Sequence, residues 1–214
     1  MITNMSHTSS LLKASLISCV KQQTLLFNKI NIELNAGELL FIHGANGTGK
    51  SSLLRIMAGL ATPASGDVTW QQTSITHHKH DFQNNLHYIS HDNGLKLGLT
   101  VSENISLLQT LHENNLANKH EVLATLQLTA QQNTIARNLS AGQKRKLALA
   151  KLLLIEKQIW ILDEPLTALD QNAQQLFLNL LQTHLTNNGI CILTSHQPLA
   201  NTFVNMKTLE LAAC

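Results

Sequence analysis

The 214-residue sequence has few charged and aromatic side chains. Charged residues make up 13% of it, whereas soluble proteins average about 25%. One Tyr, two Trp and no basic stripe leave little for binding bases or phosphodiesters, so we expect no nucleic-acid partner. The three cysteines match no zinc-binding spacing, and an odd number does not indicate a disulfide framework.

Long apolar runs are also missing. No stretch reaches the roughly 20 residues that a membrane-spanning helix requires, so a role at a membrane would need another chain to cross it. Residues 16–19 (LISC) look like a lipoprotein cleavage box, but Lys13 interrupts the apolar run before them. An edge strand is the better interpretation.

Short apolar runs alternate with segments of helical periodicity. Residues 14–43 are predicted as strands and 66–90 as short strands and loops. Buried strands are predicted at 39–42, 159–162 and 190–193, and helices at 50–58, 101–136, 141–155 and 171–187. This alternation predicts an α/β fold with a parallel sheet covered on both faces.

Residues 44–51 read GANGTGKS and fit the phosphate-loop pattern G-x-x-x-x-G-K-[ST] between a strand and a helix. Glycines let backbone N–H groups point at one anion, and the helix adds its positive end. Lys50 can reach the β- and γ-phosphates, while Ser51 can ligate Mg²⁺. The alternative is a simple glycine turn. The predicted phosphate-binding residues are Gly44, Ala45, Asn46, Gly47, Thr48, Gly49, Lys50, Ser51 and Ser52.

The apolar run 159–162 ends in two acids, Asp163 and Glu164, followed by Pro165. Ligands in open α/β sheets lie at the carboxyl ends of strands. Asp163 could therefore hold Mg²⁺, and Glu164 could polarise an attacking water. The alternative is that the acids only end a strand and begin a helix.

Residues 139–143 read LSAGQ and precede a helix. Ser140 and Gln143 fit a capping box, which gives them a structural role. A helix N-terminus with Ser140 and Gly142 can also bind a γ-phosphate. The basic run 144–146 is predicted to be a solvated face.

Together these segments resemble the ATP-binding subunits of ABC transporters, whose signature usually reads LSGGQ. Residues 167–170 (TALD) resemble the D-loop of that family, and His196 resembles its switch histidine. The resemblance implies an ATP hydrolase with a P-loop NTPase (RecA-like) parallel core, an antiparallel β subdomain and a small helical subdomain at about 92–140. The whole chain, residues 1–214, would be a single ABC ATPase domain.

The resemblance also implies roles for single residues. Lys50, Glu164 and His196 would act in catalysis, with ATP and Mg²⁺ bound. Two chains would form a head-to-tail homodimer, in which the ATP held by one chain is closed over by the other. The residues that reach across would be Ser140, Gly142 and Gln143.

Two positions depart from the family pattern. His91 stands where the Q-loop usually has Gln, and imidazole can replace an amide as a contact to water or Mg²⁺. No aromatic residue is available to stack on adenine, so Val20 would offer an apolar contact instead. We therefore expect similar affinities for ATP and GTP.

Residues 91–96, 160–165 and 195–199 resemble the heme exporter ATPases of bacterial cytochrome c maturation. That resemblance implies a CcmB-like membrane permease as partner, with further CcmC-, CcmD- and CcmE-like membrane proteins, at the cytoplasmic face of the inner membrane. ATP would power heme export or release of a heme-loaded chaperone.

Three alternatives stay open: another small-solute ABC transporter, an ABC ATPase acting on nucleic acid or ribosomes, and a regulatory module that binds nucleotide without turnover. Glu164 and the absence of a second phosphate loop favour the transporter. The histidine-rich residues 77–80 are predicted to be a solvated loop rather than a metal site.

Overall fold

The computed structural model describes residues 11–111, 117–195 and 203–212, which form two sheets flanked by helices. The antiparallel sheet has the order β2-β1-β4-β5. Its strands are β1 (Leu12–Lys21), β2 (Thr24–Leu34), β4 (Ser65–Trp70) and β5 (Thr73–Ser74). The parallel sheet has the order β6-β7-β8-β3-β9. Its strands are β3 (Leu39–His43), β6 (Leu86–Ile89), β7 (Ile159–Leu162), β8 (Ile190–Thr194) and β9 (Met206–Glu210).

The helices lie between the strands along the chain. They are α1 (Lys50–Met57), α2 (Lys79–Asn84), α3 (Val101–Thr110), α4 (Lys119–Thr125), α5 (Ala141–Leu154) and α6 (Gln171–Thr186). Short 3₁₀ turns at Thr129–Gln131 and Ala136–Asn138 lead into α5. Within the described residues, no helix is long and apolar enough to span a bilayer.

The parallel sheet separates two hydrophobic cores. In β3, Leu39 and Phe41 pack into the core under α3 to α6, whereas Leu40 and Ile42 pack into the core shared with α1 and the antiparallel sheet. Side chains alternate across a strand, so a strand covered on both faces needs an unbroken apolar run. The predicted α/β fold and its buried strands are confirmed.

Four details differ from the sequence predictions. The segment around residues 16–19, predicted as an edge strand, belongs to β1, which pairs with β2 on one side and β4 on the other. The periodic segment 101–136 is not one helix, because capping boxes at Thr100 and Asn118 each start a separate helix. Helix α2 lies in a region predicted as strands and loops. Strand β9 was not predicted, because it is a mostly exposed edge strand without an apolar run.

Residues 77–80 are exposed, as predicted, but they run from a turn into α2 instead of forming a loop. Cys19 and Cys191 are buried free thiols. The helical subdomain at about 92–140 stays a prediction.

Candidate functional site

The phosphate loop joins β3 to α1 and requires glycine for its course. Gly44, Gly47 and Gly49 have φ values of +149°, +84° and +97°, a region that side chains disfavour. A Cβ atom on Gly44 would also lie 2.3 Å from the carbonyl oxygen of Leu211. The backbone therefore curls as the sequence predicts, and α1 begins at its end without a side-chain cap at Gly49.

Lys50 lies folded across this loop. Its Nζ donates hydrogen bonds to the carbonyl oxygens of Gly44 at 2.8 Å and Ala45 at 2.9 Å. Thr48 Oγ1 donates to the same Ala45 oxygen at 3.0 Å. The loop thus surrounds the Lys50 ammonium group, which carries three N–H donors. Ser51, in the first turn of α1, is exposed at the loop, so the residues fit a phosphate group with an accompanying cation.

Thr194, at the end of β8, forms hydrogen bonds with the two acids that follow the neighbouring strand β7. Its Oγ1 donates to Asp163 Oδ1 at 2.8 Å and accepts from the Glu164 backbone N–H at 3.0 Å. Thr194 pairs in register with Ile42, two residues before Gly44. Because neighbouring parallel strands end at one edge, the sheet brings the phosphate loop and both acids together.

Glu164 has an unusual backbone for a residue with a side chain. Its φ is +51°, a conformation that costs about 1–3 kcal/mol when surrounding contacts impose it. The bond to Thr194 fixes its N–H, and its Oε2 accepts from Thr167 Oγ1 at 3.2 Å. The half-buried carboxylate is therefore oriented beside the sheet edge rather than free to rotate.

The LSAGQ segment forms the predicted helix start. The Gln143 N–H donates to Ser140 Oγ at 3.2 Å, and the Ser140 N–H donates to Gln143 Oε1 at 2.9 Å. A Cβ on Gly142 would lie only 2.5 Å from the carbonyl oxygen of Ala168. Glycine at 142 therefore lets α5 approach the 167–170 turn. The capping interpretation is confirmed, and nucleotide binding by Ser140 stays a prediction.

The solvated-face prediction for residues 144–146 is wrong for two of the three residues. Arg145 is buried, with 4% of its surface exposed. Lys146 forms an ion pair with Asp170 at 2.7 Å, with only 12% of its side chain exposed. Burial lowers the pKa of Arg145 to about 10, although the charges of Asp163 and Glu164 oppose this shift.

Comparisons with known proteins identify the family to which the chain belongs. Residues 27–167 match the model of the ABC transporter family. The chain belongs to the ABC transporter family. The cytochrome c biogenesis ATP-binding export protein CcmA of Aliivibrio fischeri is 38% identical over 196 residues, which cover 91% of this chain and 96% of that protein. The CcmA protein of Methylococcus capsulatus is 42% identical over 185 residues, covering 86% and 89%.

Solved structures support the same fold. An ATP-binding subunit of an ABC transporter superposes with a TM-score of 0.80 at 21% identity, covering 95% of this chain and 89% of that one. A putative ABC transporter ATP-binding protein from Pyrococcus furiosus gives a TM-score of 0.76 at 22% identity, covering 94% and 96%. As an ABC transporter ATP-binding protein, the chain is an ATP hydrolase.

Two predicted ABC motif positions, His91 and Val20, lie at the margin of the described site. His91 is exposed and follows β6 at the edge where β7 ends in Asp163. Val20 is 52% exposed on β1 and pairs across the strands with Leu25, which is 39% exposed, so an apolar surface exists there. His196 lies outside the described residues. Contacts of His91 or Val20 with nucleotide stay predictions.

Proposed function

We propose that the chain binds Mg-ATP on residues 44–51 and hydrolyses it to power an ABC transporter of bacterial cytochrome c maturation. The observation that carries the chemistry is the pair of bonds from Thr194, which hold Asp163 and Glu164 at the sheet edge that bears the phosphate loop. The relatives' printed role in cytochrome c biogenesis export supports the physiological part.

Each residue has a distinct task in this proposal. Lys50 exchanges the two loop carbonyls for β- and γ-phosphate oxygens. Ser51 and Asp163 hold Mg²⁺, with His91 as a further contact through water. The bound ion would neutralise charge that develops on the phosphate oxygens. Glu164 orients the attacking water and accepts its proton. His196 is assigned to the γ-phosphate on its sequence position.

A second copy completes the site. Ser140 is exposed at the N-terminus of α5, where backbone N–H groups favour an anion. We place this end of α5, with Gly142 and Gln143, over the ATP held by a partner chain in a head-to-tail homodimer. The dimer would attach to a CcmB-like permease, with CcmC-, CcmD- and CcmE-like proteins nearby, at the cytoplasmic face of the inner membrane.

Three purified variants test the chemistry. Glu164→Gln should bind Mg-ATP and form a stable dimer on size exclusion with light scattering, but lose ATP turnover. Lys50→Ala should lose nucleotide binding or turnover. Glu156→Gln, which changes an exposed glutamate before β7, is the matched control and should behave like the parent. Parental turnover by Glu164→Gln would remove Glu164 from the role of base.

The transport role needs a cellular test. A bacterium that lacks its own heme exporter ATPase should regain covalent heme staining of periplasmic cytochrome c when it expresses this chain with its membrane partners. Glu164→Gln should not restore staining. An active ATPase that fails to restore cytochrome c in this setting would contradict the cytochrome c assignment while leaving the ATPase assignment intact.

A further inference from the structure

We propose that Arg145 is a positioning residue that locks the loop after β6, the acidic turn after β7 and helix α5 into one unit, and thereby links the two nucleotide sites of the dimer. The proposal rests on the head-to-tail arrangement given above. Arg145 does not touch the nucleotide in this scheme. It acts through the segments that do.

Four hydrogen bonds from one guanidinium carry the argument. Its Nη2 donates to the Asp163 carbonyl at 2.5 Å, and its Nε donates to the Pro165 carbonyl at 3.2 Å. Its Nη1 donates to the Ser90 carbonyl at 3.0 Å and to Asn93 Oδ1 at 2.8 Å. A single side chain thus joins the carbonyls on either side of Glu164 to acceptors in the 90–93 loop.

The type of partner indicates a positioning role. All four acceptors are neutral carbonyl or amide oxygens, so the four hydrogen bonds are not ion pairs, although the charges of Asp163 and Glu164 also act on the guanidinium. The planar guanidinium holds its donors in a fixed fork, which a flexible ammonium cannot reproduce. These donors fix the 90–93 loop relative to the turn after β7, two segments that are far apart in the sequence.

Two further contacts hold α5 against the 167–170 turn, which follows the acids of the same chain. Lys146 pairs with Asp170, which also caps α6 by accepting from the Ala173 N–H at 2.8 Å. Gly142 lies against the Ala168 carbonyl. The first turn of α5, which starts beside Ser140, is therefore tied to the acidic turn of its own chain. A shift of Asp163 or of the 90–93 loop must move the helix end that serves the partner's ATP.

This arrangement predicts a specific kinetic effect. The described bonds of Arg145 do not include the 44–51 loop, so ATP affinity at that loop should change less than twofold when Arg145 is replaced. Misplacement of the acids and of the partner-facing helix should lower kcat by roughly 10- to 100-fold. The Hill coefficient for ATP should fall towards that of independent sites.

The test compares Arg145→Gln with Arg137→Gln in the subunit assembled with its membrane partners. Arg137 is an exposed arginine close in sequence, and its variant should keep the parental kcat, ATP affinity and Hill coefficient. Arg145→Lys should recover only part of the loss, because it restores charge without the fork. Parental kcat and Hill coefficient in a folded Arg145→Gln protein would overturn the proposal, whatever its melting temperature.

Asn93 variants serve where Arg145→Gln fails to fold. Asn93 has φ +62°, which Gly and Asp both tolerate. Asn93→Gly removes one acceptor and should lower kcat and the Hill coefficient in part, while Asn93→Asp keeps the acceptor and should retain both. Equal kinetics for these two variants would overturn the proposal. A parent assembly without ATP turnover would instead contradict the proposed function.

Discussion

Replacing Thr194 with valine removes one hydroxyl from the junction between the two acids. The residue is fully buried, and its Oγ1 bonds Asp163 at 2.8 Å and the Glu164 N–H at 3.0 Å. Valine matches threonine in shape, so the change deletes the bonds without opening a large cavity. Thr194→Ser is the matched control, because it keeps the hydroxyl and removes only a methyl group.

The expected magnitude follows from the two lost bonds. A hydrogen bond to a charged group contributes about 1.5–3 kcal/mol, and a buried group left without a partner costs about 1–3 kcal/mol. Because Glu164 is only half-buried, water can satisfy part of the loss. We expect Thr194→Val to lower the free energy of unfolding by about 2–4 kcal/mol, and Thr194→Ser by about 1 kcal/mol.

The effect on turnover should be larger for valine than for serine. Loss of about 1.4–2.8 kcal/mol of transition-state stabilisation corresponds to a 10- to 100-fold lower kcat. Urea unfolding gives the stability change, and ATP turnover at saturating Mg-ATP gives the rate. A kcat for Thr194→Val within twofold of that for Thr194→Ser would refute the idea that this hydroxyl positions the acids.

Three further outcomes are expected. Gly142→Ala places a Cβ 2.5 Å from the Ala168 carbonyl and should lower the midpoint of urea unfolding despite the better helix propensity of alanine; an unchanged midpoint would contradict the close approach. Burial lowers the pKa of Lys151 from 10.5 to about 8, so the unfolded chain binds more protons between these values and stability should rise with pH there. Lys151→Met should lose that rise in pH-dependent unfolding. Burial likewise lowers the pKa of His184 from 6.5 to about 4, so stability should fall as pH drops through this window, and a His184→Phe protein with the same fall would contradict it.

The sequence predicts those parts of the fold that depend only on residues within one short segment. The buried strands and the phosphate loop each lie within one short segment, where apolar runs and glycine spacing are sufficient. Strand β9 could not be predicted in this way, because its residues are mostly exposed and it is defined by its pairing with β3. The break between α3 and α4 shows the same limit, since helical periodicity continues where capping residues start a new helix.

The candidate site likewise contains residues that the sequence could locate and residues that it could not. The acids could be located from the sequence because they follow an apolar strand directly. The role of Thr194 could not, because β8 and β7 are neighbours only in the folded sheet. A threonine at a strand end carries no local signal for the bond it makes 31 residues away.

Arg145 shows which missed signal was available. A run of three basic residues reads as a solvated face when it is taken as a block. Taken by helical position, Arg145 lies on the face of Ala148, Leu149 and Leu152, at spacings of three, four and seven, and all three are buried. An arginine on an apolar face must find acceptors for its fixed fork of donors. The backbone carbonyls of Asp163, Pro165 and Ser90 and the side-chain oxygen of Asn93 supply them. The informative feature was therefore the position of the arginine in the helical period, rather than the presence of a charge.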